Sequence, residues 1–364
     1  MIVTAPDFDN RRWFTPARGA SGWQPSFQDY SDLVAHAEVQ YDATRKSAVV
    51  TVVAQHRADA DLEYLFDGVP QKTTTKTFTS ASTKPVQISV HAHGGAQIDL
   101  EPVDFVWAAA VLKHRAGDYR SGKKGAIVEM FGWPHAAVEQ ECAQLAKAGY
   151  LGVKVYPAQE QIMSGEPFNG VMNPWYFMYQ PVSYRLQGRM GSRDALRKMI
   201  NTCRKLGVRV YADAVINHMT GSGNDANPDH RNQAGSTCVQ FGAKNSSLGG
   251  GSSPMYTQGY SYTCGDNTKL PPSQEFPAVP YGPTDFHCER VLNSWTDPLD
   301  LNAGWLTGLV DLNTEKENVQ NRIAAYLTDL LSIGFSGFRV DAAKHIRPED
   351  LVAIFSTVKH NMGE

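Results

Sequence analysis

Three short polar clusters hold the groups with which this chain could do chemistry. Asp213-Ala214-Val215-Ile216-Asn217-His218 and Gly337-Phe338-Arg339-Val340-Asp341-Ala342-Ala343-Lys344-His345 each close a run of strand-forming residues, and Gly308-Leu309-Val310-Asp311-Leu312-Asn313 lies between them. A lone Asp after a strand is most often a cap or a loop hydrogen-bonder. Arg339 and Asp341 carry more information. Residues two apart on a strand point to the same side, and a guanidinium beside a carboxylate keeps that carboxylate ionised. An ionised carboxylate suits a nucleophile, whereas a general acid needs the opposite environment.

The elements that must position these groups follow from periodicity. Ala126 to Phe131, Leu151 to Tyr156, Val208 to Val215 and Phe335 to Asp341 are short apolar runs of strand length. Between and after them, Ala136 to Ala148, Ser192 to Leu206, Glu315 to Ile333 and Pro348 to Val358 repeat apolar residues at helical spacing. Ser192 stands as N-cap, with Gly149, Gly207 and Gly334 just past three of the helix ends. Four strand–helix units in series predict a parallel sheet built by right-handed crossovers. Met219 to about Leu306 is rich in Gly, Asn, Ser, Pro and Tyr. At about 85 residues it is far too long for an ordinary βα loop, so it reads as a domain inserted over the third strand's C-terminal end, where ligands of parallel α/β folds bind. Earlier, from about Ala35 to Leu112, short alternating runs rich in Thr and Val predict antiparallel strands and a small β-sandwich. The polar, aperiodic stretch Arg115 to Lys124 reads as a boundary, giving an all-β domain over 1–118 and a parallel strand–helix domain over 119–364 with its insert at about 219–306.

Composition agrees with a folded protein and excludes several classes. The 364 residues are 42% hydrophobic and 20% charged, enough apolar material for two or three domains of about 150 residues each. The net charge of −3 provides no field for nucleic acid or anionic lipid, and no run of apolar residues is long enough to span a membrane. No secretory signal peptide is legible at the N-terminus. Five Cys are too few for a disulfide scaffold.

Taken together, the clusters resemble the α-amylase family of glycoside hydrolases. Val210 to Met219 (VYADAVINHM) is similar to that family's third-strand motif, Gly337 to His345 (GFRVDAAKH) to its fourth, and Gly308 to Asn313 (GLVDLN) to the short motif late in its inserted domain. Gly149 to Val155 and Pro174 to Tyr184 (PWYFMYQPVSY) resemble the second strand and following loop of the animal and protist branch. The resemblance runs from about Ala126 to His345 and leaves out the first 120 or so residues. It implies the N-terminal half of a (β/α)8 TIM barrel with an inserted domain B after strand 3, preceded by the all-β domain. It also implies endo-hydrolysis of α-1,4-glucosidic bonds in starch or glycogen by retaining double displacement.

Residue by residue, Asp341 matches the family's nucleophile, and Arg339 the arginine that orients it and in animal-type members also contacts chloride. His218 and His345 match sugar hydrogen-bonders, Lys344 a sugar-binding lysine on the leaving-group side, and Asp213 a structural active-site carboxylate. Trp175, Tyr179 and Gln180 match groups lining the glucose sites, with Tyr176 where animal enzymes often have a second Trp. Asn217, Asp311 and the carbonyls of Asn302 and His345 match a Ca²⁺ site, whose hard oxygen donors suit that ion. Cys142 and Cys203 match a bridge of the animal enzymes; two buried free thiols are the alternative, and the pairing of Cys238, Cys264 and Cys288 stays open. A bridge implies an oxidising, secretory or lysosomal-type compartment.

The resemblance also implies parts that the clusters do not supply. The family barrel has eight strands and takes its acid/base Glu from the fifth; four are legible here, and Glu364 follows a helix exit. The expectation is therefore an N-terminal fragment, inactive alone, of a monomeric α-glucan hydrolase. Within the family the alternatives are a transglycosylase or an α-1,6-glucosidase; outside it, a catalytically inactive carbohydrate-binding relative. An open doubly wound sheet would want a phosphate loop after its first strand, and Gly132-Trp133-Pro134 is not one. For the N-terminal region two roles are open, a starch-binding module using Trp13, Trp23 or Trp107, or a structural spacer.

Overall fold

The computed structural model describes residues 33–56, 60–82, 84–108, 125–162, 167, 170–220, 276, 279–281, 285–287 and 292–364. The expected boundary at 115–124, most of the insert, Trp13, Trp23 and the three remaining Cys lie outside them.

Two antiparallel sheets form first. Strands β1 (Leu33–Tyr41), β2 (Ser47–His56) and β5 (Thr75–Thr79) make one, in the order β1-β2-β5. Strands β3 (Leu62–Phe66), β4 (Val69–Gln71), β6 (Ile88–Ala92) and β7 (Gln97–Asp99) make the other, in the order β4-β3-β6-β7. Val50, Val52, Phe66, Phe78, Ile88 and Val90 are buried, and the Phe66 and Phe78 rings meet across the two sheets at 6.1 Å. Trp107, available from the sequence as a sugar platform, is not one. It is 7% exposed, stacks on Phe105 at 4.8 Å and donates Nε1–H to the Ser82 carbonyl.

The second part alternates strand and helix. Strands β8 (Ile127–Met130), β9 (Gly152–Val155), β10 (Arg209–Ala214) and β13 (Phe338–Val340) are joined through helices α1 (His135–Ala148), α2 (Arg193–Lys205) and α4 (Glu317–Ile333). The two-residue strands β11 (His218–Met219) and β12 (Val310–Asp311) pair with each other beside helix α3 (Pro298–Ala303), and α5 (Pro348–Asn361) closes the described chain. The helix boundaries have local causes. Ser192 Oγ accepts from Ala195 N at 3.3 Å, and Gly149 and Gly334 end α1 and α4 in the left-handed region. At Gly334 (φ 118°) an added Cβ would lie 2.9 Å from the Ile200 side chain, so both backbone sign and space require glycine.

The four strands are parallel and lie in the order β13-β10-β9-β8. Each new strand adds to the same edge, without the reversal that defines a doubly wound sheet. This is the wall of a (β/α)8 barrel, its N-terminal part. The first sheet pair docks on the barrel's outer helices. The Tyr41 hydroxyl donates to Ser332 Oγ on α4 at 2.9 Å. Buried Arg193 on α2 forks onto Asp329 of α4 (2.8 and 2.6 Å) and also holds Asp104 at 2.9 Å. Such a bidentate guanidinium fixes orientation as well as charge. Glu364 pairs with Arg45 at the exit of α5, away from the strand ends. Among the described residues no helix is long and apolar enough to cross a membrane.

Candidate active site

The strand register assembles a row of alternating charge at the C-terminal ends of the parallel strands. Glu129 of β8 faces Lys154 of β9, and Asp213 of β10 faces Arg339 of β13. Lys154 Nζ lies 2.6 Å from Glu129 Oε1 and 2.6 Å from Asp213 Oδ2. Arg339 Nη1 donates to Asp213 Oδ1 at 2.7 Å and to Asp341 Oδ1 at 2.6 Å. Asp213 is fully shielded and also accepts from the Tyr179 hydroxyl at 2.9 Å. Burial, reinforced by the Asp213 charge, drives the Tyr179 phenol well above its ordinary pKa, so it stays a donor. The Asp213 and Asp341 charges hold the Arg339 guanidinium above its ordinary value against the opposing effect of burial. Three carboxylates share two cations, so the row carries one excess negative charge, with Asp341 at its open end.

Above this row lies a cleft of about 930 Å³. Glu129, Phe131, Trp175, Tyr176, Tyr179, Gln180, His218, Thr307, Arg339 and Asp341 line it, along with Phe177, Leu306, Gly308 and Leu309. Its size is that of a small-molecule site. Trp175 is 58% and Phe131 48% exposed, with ring centroids 5.7 Å apart. Exposed aromatic faces of this kind stack on the C–H face of a sugar ring. Backbone strain gathers here too. Of five non-glycine residues with positive φ among the described residues, Asn173 precedes the Trp175 turn, Thr307 lines the cleft, and Ala342 (φ 50°) follows Asp341. Non-glycine residues hold this conformation only where their surroundings impose it, which is common at functional sites.

Of the residues expected at a sugar site, Trp175, Tyr176, Tyr179, Gln180, His218, Arg339 and Asp341 line one cleft, and Asp213 lies beneath it. The contacts of His218, and the places of His345 and Lys344, differ from expectation. His218 spends both ring nitrogens on the protein: Nε2–H donates to the Tyr179 carbonyl at 2.9 Å, and Nδ1 faces Asn217 Nδ2 at 3.3 Å. Burial lowers its pKa, which leaves a neutral ring holding the Tyr179 loop. His345 is buried, donates Nδ1–H to the Leu301 carbonyl at 3.0 Å, and stands outside the cleft lining. Lys344 also stands outside it, with Nζ 5.3 Å from the Trp295 ring centre. Glu129 and Lys154 went unread in the sequence. The available signal was a lysine in an otherwise apolar strand, since a buried Lys almost always has a carboxylate partner.

Of the expected Ca²⁺ donors, Asn217 and Asp311 touch, while His345 bonds to the residue before Asn302. Asn217 Nδ2 donates to Asp311 Oδ1 at 3.1 Å, and His345 reaches the segment carrying Leu301 and Asn302. Burial pushes the Asp311 carboxyl up to about 6, although His287 Nδ1 lies 2.7 Å from its other oxygen. One carboxylate, one amide and backbone carbonyls fit a hard cation in type. The Asn217 amide presents nitrogen to Asp311, so it would have to turn to ligate. Among the described residues no cluster of three His, Cys, Asp or Glu forms a metal site. Cys142 on α1 and Cys203 on α2 form a disulfide, with Cα atoms 5.0 Å apart.

Comparison with known proteins agrees with this geometry. Residues 178–357 match the family model for the α-amylase catalytic domain. Pancreatic α-amylase 2a5 of Mus musculus is 35% identical over 268 residues, covering 72% of this chain and 44% of that protein. The α-amylase of Thermomonospora curvata is 39% identical over 244 residues, covering 66% of this chain and 34% of its own. The crystal structure of α-amylase I from Eisenia fetida aligns with a TM-score of 0.48 at 32% identity, over 64% of this chain and 40% of that one. The chain thus spans less than half the length of these relatives. With the motifs in family order and the strand ends carrying them gathered on one barrel wall, the chain belongs to the α-amylase family of glycoside hydrolases.

Proposed function

We propose that the protein to which this chain belongs cleaves α-1,4-glucosidic bonds within starch or glycogen, with retention of anomeric configuration and as a monomer. The observation that carries this reading is Asp341: a carboxylate 16% exposed, bonded to Arg339, at the floor of a cleft walled by an exposed Trp175. Asp341 attacks the anomeric carbon, and Arg339 holds it aimed through the 2.6 Å bond. Asp213 anchors Arg339 from below without touching sugar. Trp175, Tyr176, Tyr179 and Gln180 hold glucose rings, Lys344 meets sugar beyond the cleft floor, and His218 and His345 position the loops that do so.

Retaining hydrolysis needs a second carboxylate about 5 Å from the first to protonate the leaving oxygen. Among the described lining residues the other carboxylate is Glu129, and it is taken up in a 2.6 Å ion pair with Lys154. The 364 residues on their own are therefore expected not to turn over starch. Ca²⁺ bound by Asn217, Asp311 and the carbonyls of Asn302 and His345 would tie the insert to the fourth strand. Chloride would sit on the remaining donors of Arg339. The described sheets and the Asp104 segment after them brace the outer helices, and the Cys142–Cys203 bridge fits a secretory compartment.

The test is reducing-sugar release from starch by the protein as its gene encodes it, with the product anomer followed by NMR. α-Anomeric maltooligosaccharides, lost in Asp341→Asn, are expected. β-Anomeric products, cleavage of isomaltose alone, or an unchanged Asp341→Asn rate would overturn the reading. Starch hydrolysis by the 364-residue chain alone would overturn its expected inactivity.

A further inference from the structure

A second polar recess lies between the N-terminal sheet and the barrel, and it shares no residue with the cleft. Its sheet wall follows from register. Val34, His36 and Glu38 alternate along β1 to one face, and Val34 pairs with Gln55, and His36 with Val53, across to β2. Its other wall is one face of α4, where Asn318, Asn321 and Arg322 recur at helical spacing. Pro280 completes it, and the recess, open on one side, has a volume of about 280 Å³. That is just under the ~300 Å³ at which small-molecule pockets begin, room for one ring and not for a polymer strand.

Three buried polar atoms on these walls have no partner: His36 Nδ1, Gln55 Oε1 and Asn318 Oδ1. Neighbouring bonds fix what two of them offer. His36 Nε2 lies 3.2 Å from Glu38 Oε1, which can only accept, so the proton sits on Nε2 and Nδ1 presents a lone pair. Burial lowers the His36 pKa and keeps the ring neutral. Asn318 Nδ2 donates to Asp285 Oδ1 at 2.9 Å, which turns Oδ1 the other way. Three acceptors thus await donors, and buried acceptors are costly to leave unmet.

Charge narrows the class of donor. Glu38 and Arg322 stand on the same walls with opposite signs, so the recess favours neither an anion nor a cation. The Arg322 guanidinium is itself engaged, bonded to the Val279 carbonyl and lying 5.0 Å from the Tyr184 ring centre. Val34, Val53, Ala54 and Pro280 add apolar surface. A neutral molecule with hydroxyl donors around a C–H face matches all of this. We infer that the recess between β1–β2 and α4 binds one hexose ring, free or at the end of an oligosaccharide, through His36, Gln55 and Asn318. Nothing in this inference depends on the chemistry of the cleft.

Isothermal titration and ligand-observed NMR of the 364-residue chain with glucose and with maltotriose test it. Val53→Trp fills the recess from a position that is 37% exposed, and Gln55→Leu removes one acceptor. Trp175→Ala disables the cleft. Glucose binding should survive Trp175→Ala, weaken about fivefold in Gln55→Leu and vanish in Val53→Trp. Maltotriose binding without glucose binding in the Trp175→Ala protein would assign the site to chain ends; equal binding would assign it to the free sugar. Sugar contacts unchanged by both Val53→Trp and Gln55→Leu would overturn the inference, as would a recess that takes up water only. If Val53→Trp does not fold, the Gln55→Leu result decides alone. Failure here would leave the cleft reading untouched, because that is read from starch cleavage and its loss in Asp341→Asn.

Discussion

Replacing Lys154 with Met separates a charge row that holds the cleft floor from one that is decorative. The Lys154 ammonium is 10% exposed and sits 2.6 Å from both Asp213, which is fully shielded, and Glu129, which is 56% exposed. Removing one partner of a buried pair costs about 3–5 kcal/mol when the other charge is left bare. Asp213 would keep Arg339 at 2.7 Å and the Tyr179 hydroxyl at 2.9 Å, so the expected loss is smaller, about 2–3 kcal/mol. Glu129→Gln breaks an ion pair whose carboxylate is largely in water and should cost no more than about 1 kcal/mol. Asp213→Asn leaves Lys154 and Arg339 facing each other without their anion, at about 3 kcal/mol. The Lys154→Met/Asp213→Asn double variant removes both members and should cost less than the sum of the single changes by about 2 kcal/mol. Urea unfolding of the four variants at neutral pH measures all of these. The reasoning fails if Lys154→Met is as mild as Glu129→Gln, or if the double variant is additive.

Three further outcomes follow from separate features. His135 opens α1, is 2% exposed, has an unpartnered Nδ1, and is lowered by burial to about 4. The unfolded chain takes up this proton first, so stability should fall between about pH 6.5 and 4, by up to about 3 kcal/mol. His135→Leu should remove that part of the slope in urea midpoints measured across the window; an unchanged slope refutes it. Replacing Cys142 and Cys203 by Ser opens a loop with a sequence separation of 61 and should cost about 4 kcal/mol in the chain-entropy description, read by the same denaturation. Ala342→Gly relieves a left-handed alanine at φ 50° and should raise the melting temperature, by the equivalent of about 1 kcal/mol, because the native backbone there carries strain. A lowered melting temperature would mean that the turn after Asp341 is held without strain.

How much of this was legible beforehand depended on whether the cause was local. The ends of α1, α2 and α4 follow from Ser192, Gly149 and Gly334, whose effects act within a few residues, and the four parallel strands are short apolar runs between them. The pairing of Arg339 with Asp341 could be read because the two are two residues apart in one run, Asp341 directly following β13. The link from Lys154 to Asp213 could not, because it depends on register between β9 and β10, whose partners are Tyr211 and Lys154 and lie 57 positions apart along the chain. Burial deceived in the same way. Trp107 has the composition of a sugar platform, yet the aromatic wall of Phe105 and Tyr41 takes its face. His218 and His345 have the chemistry of sugar ligands, yet each turns an N–H to a backbone carbonyl. A donor spent inside the fold is lost to the ligand unless the loop holding its acceptor moves. The Tyr179 loop and the Leu301 segment are therefore where this barrel wall would have to shift for either histidine to touch sugar.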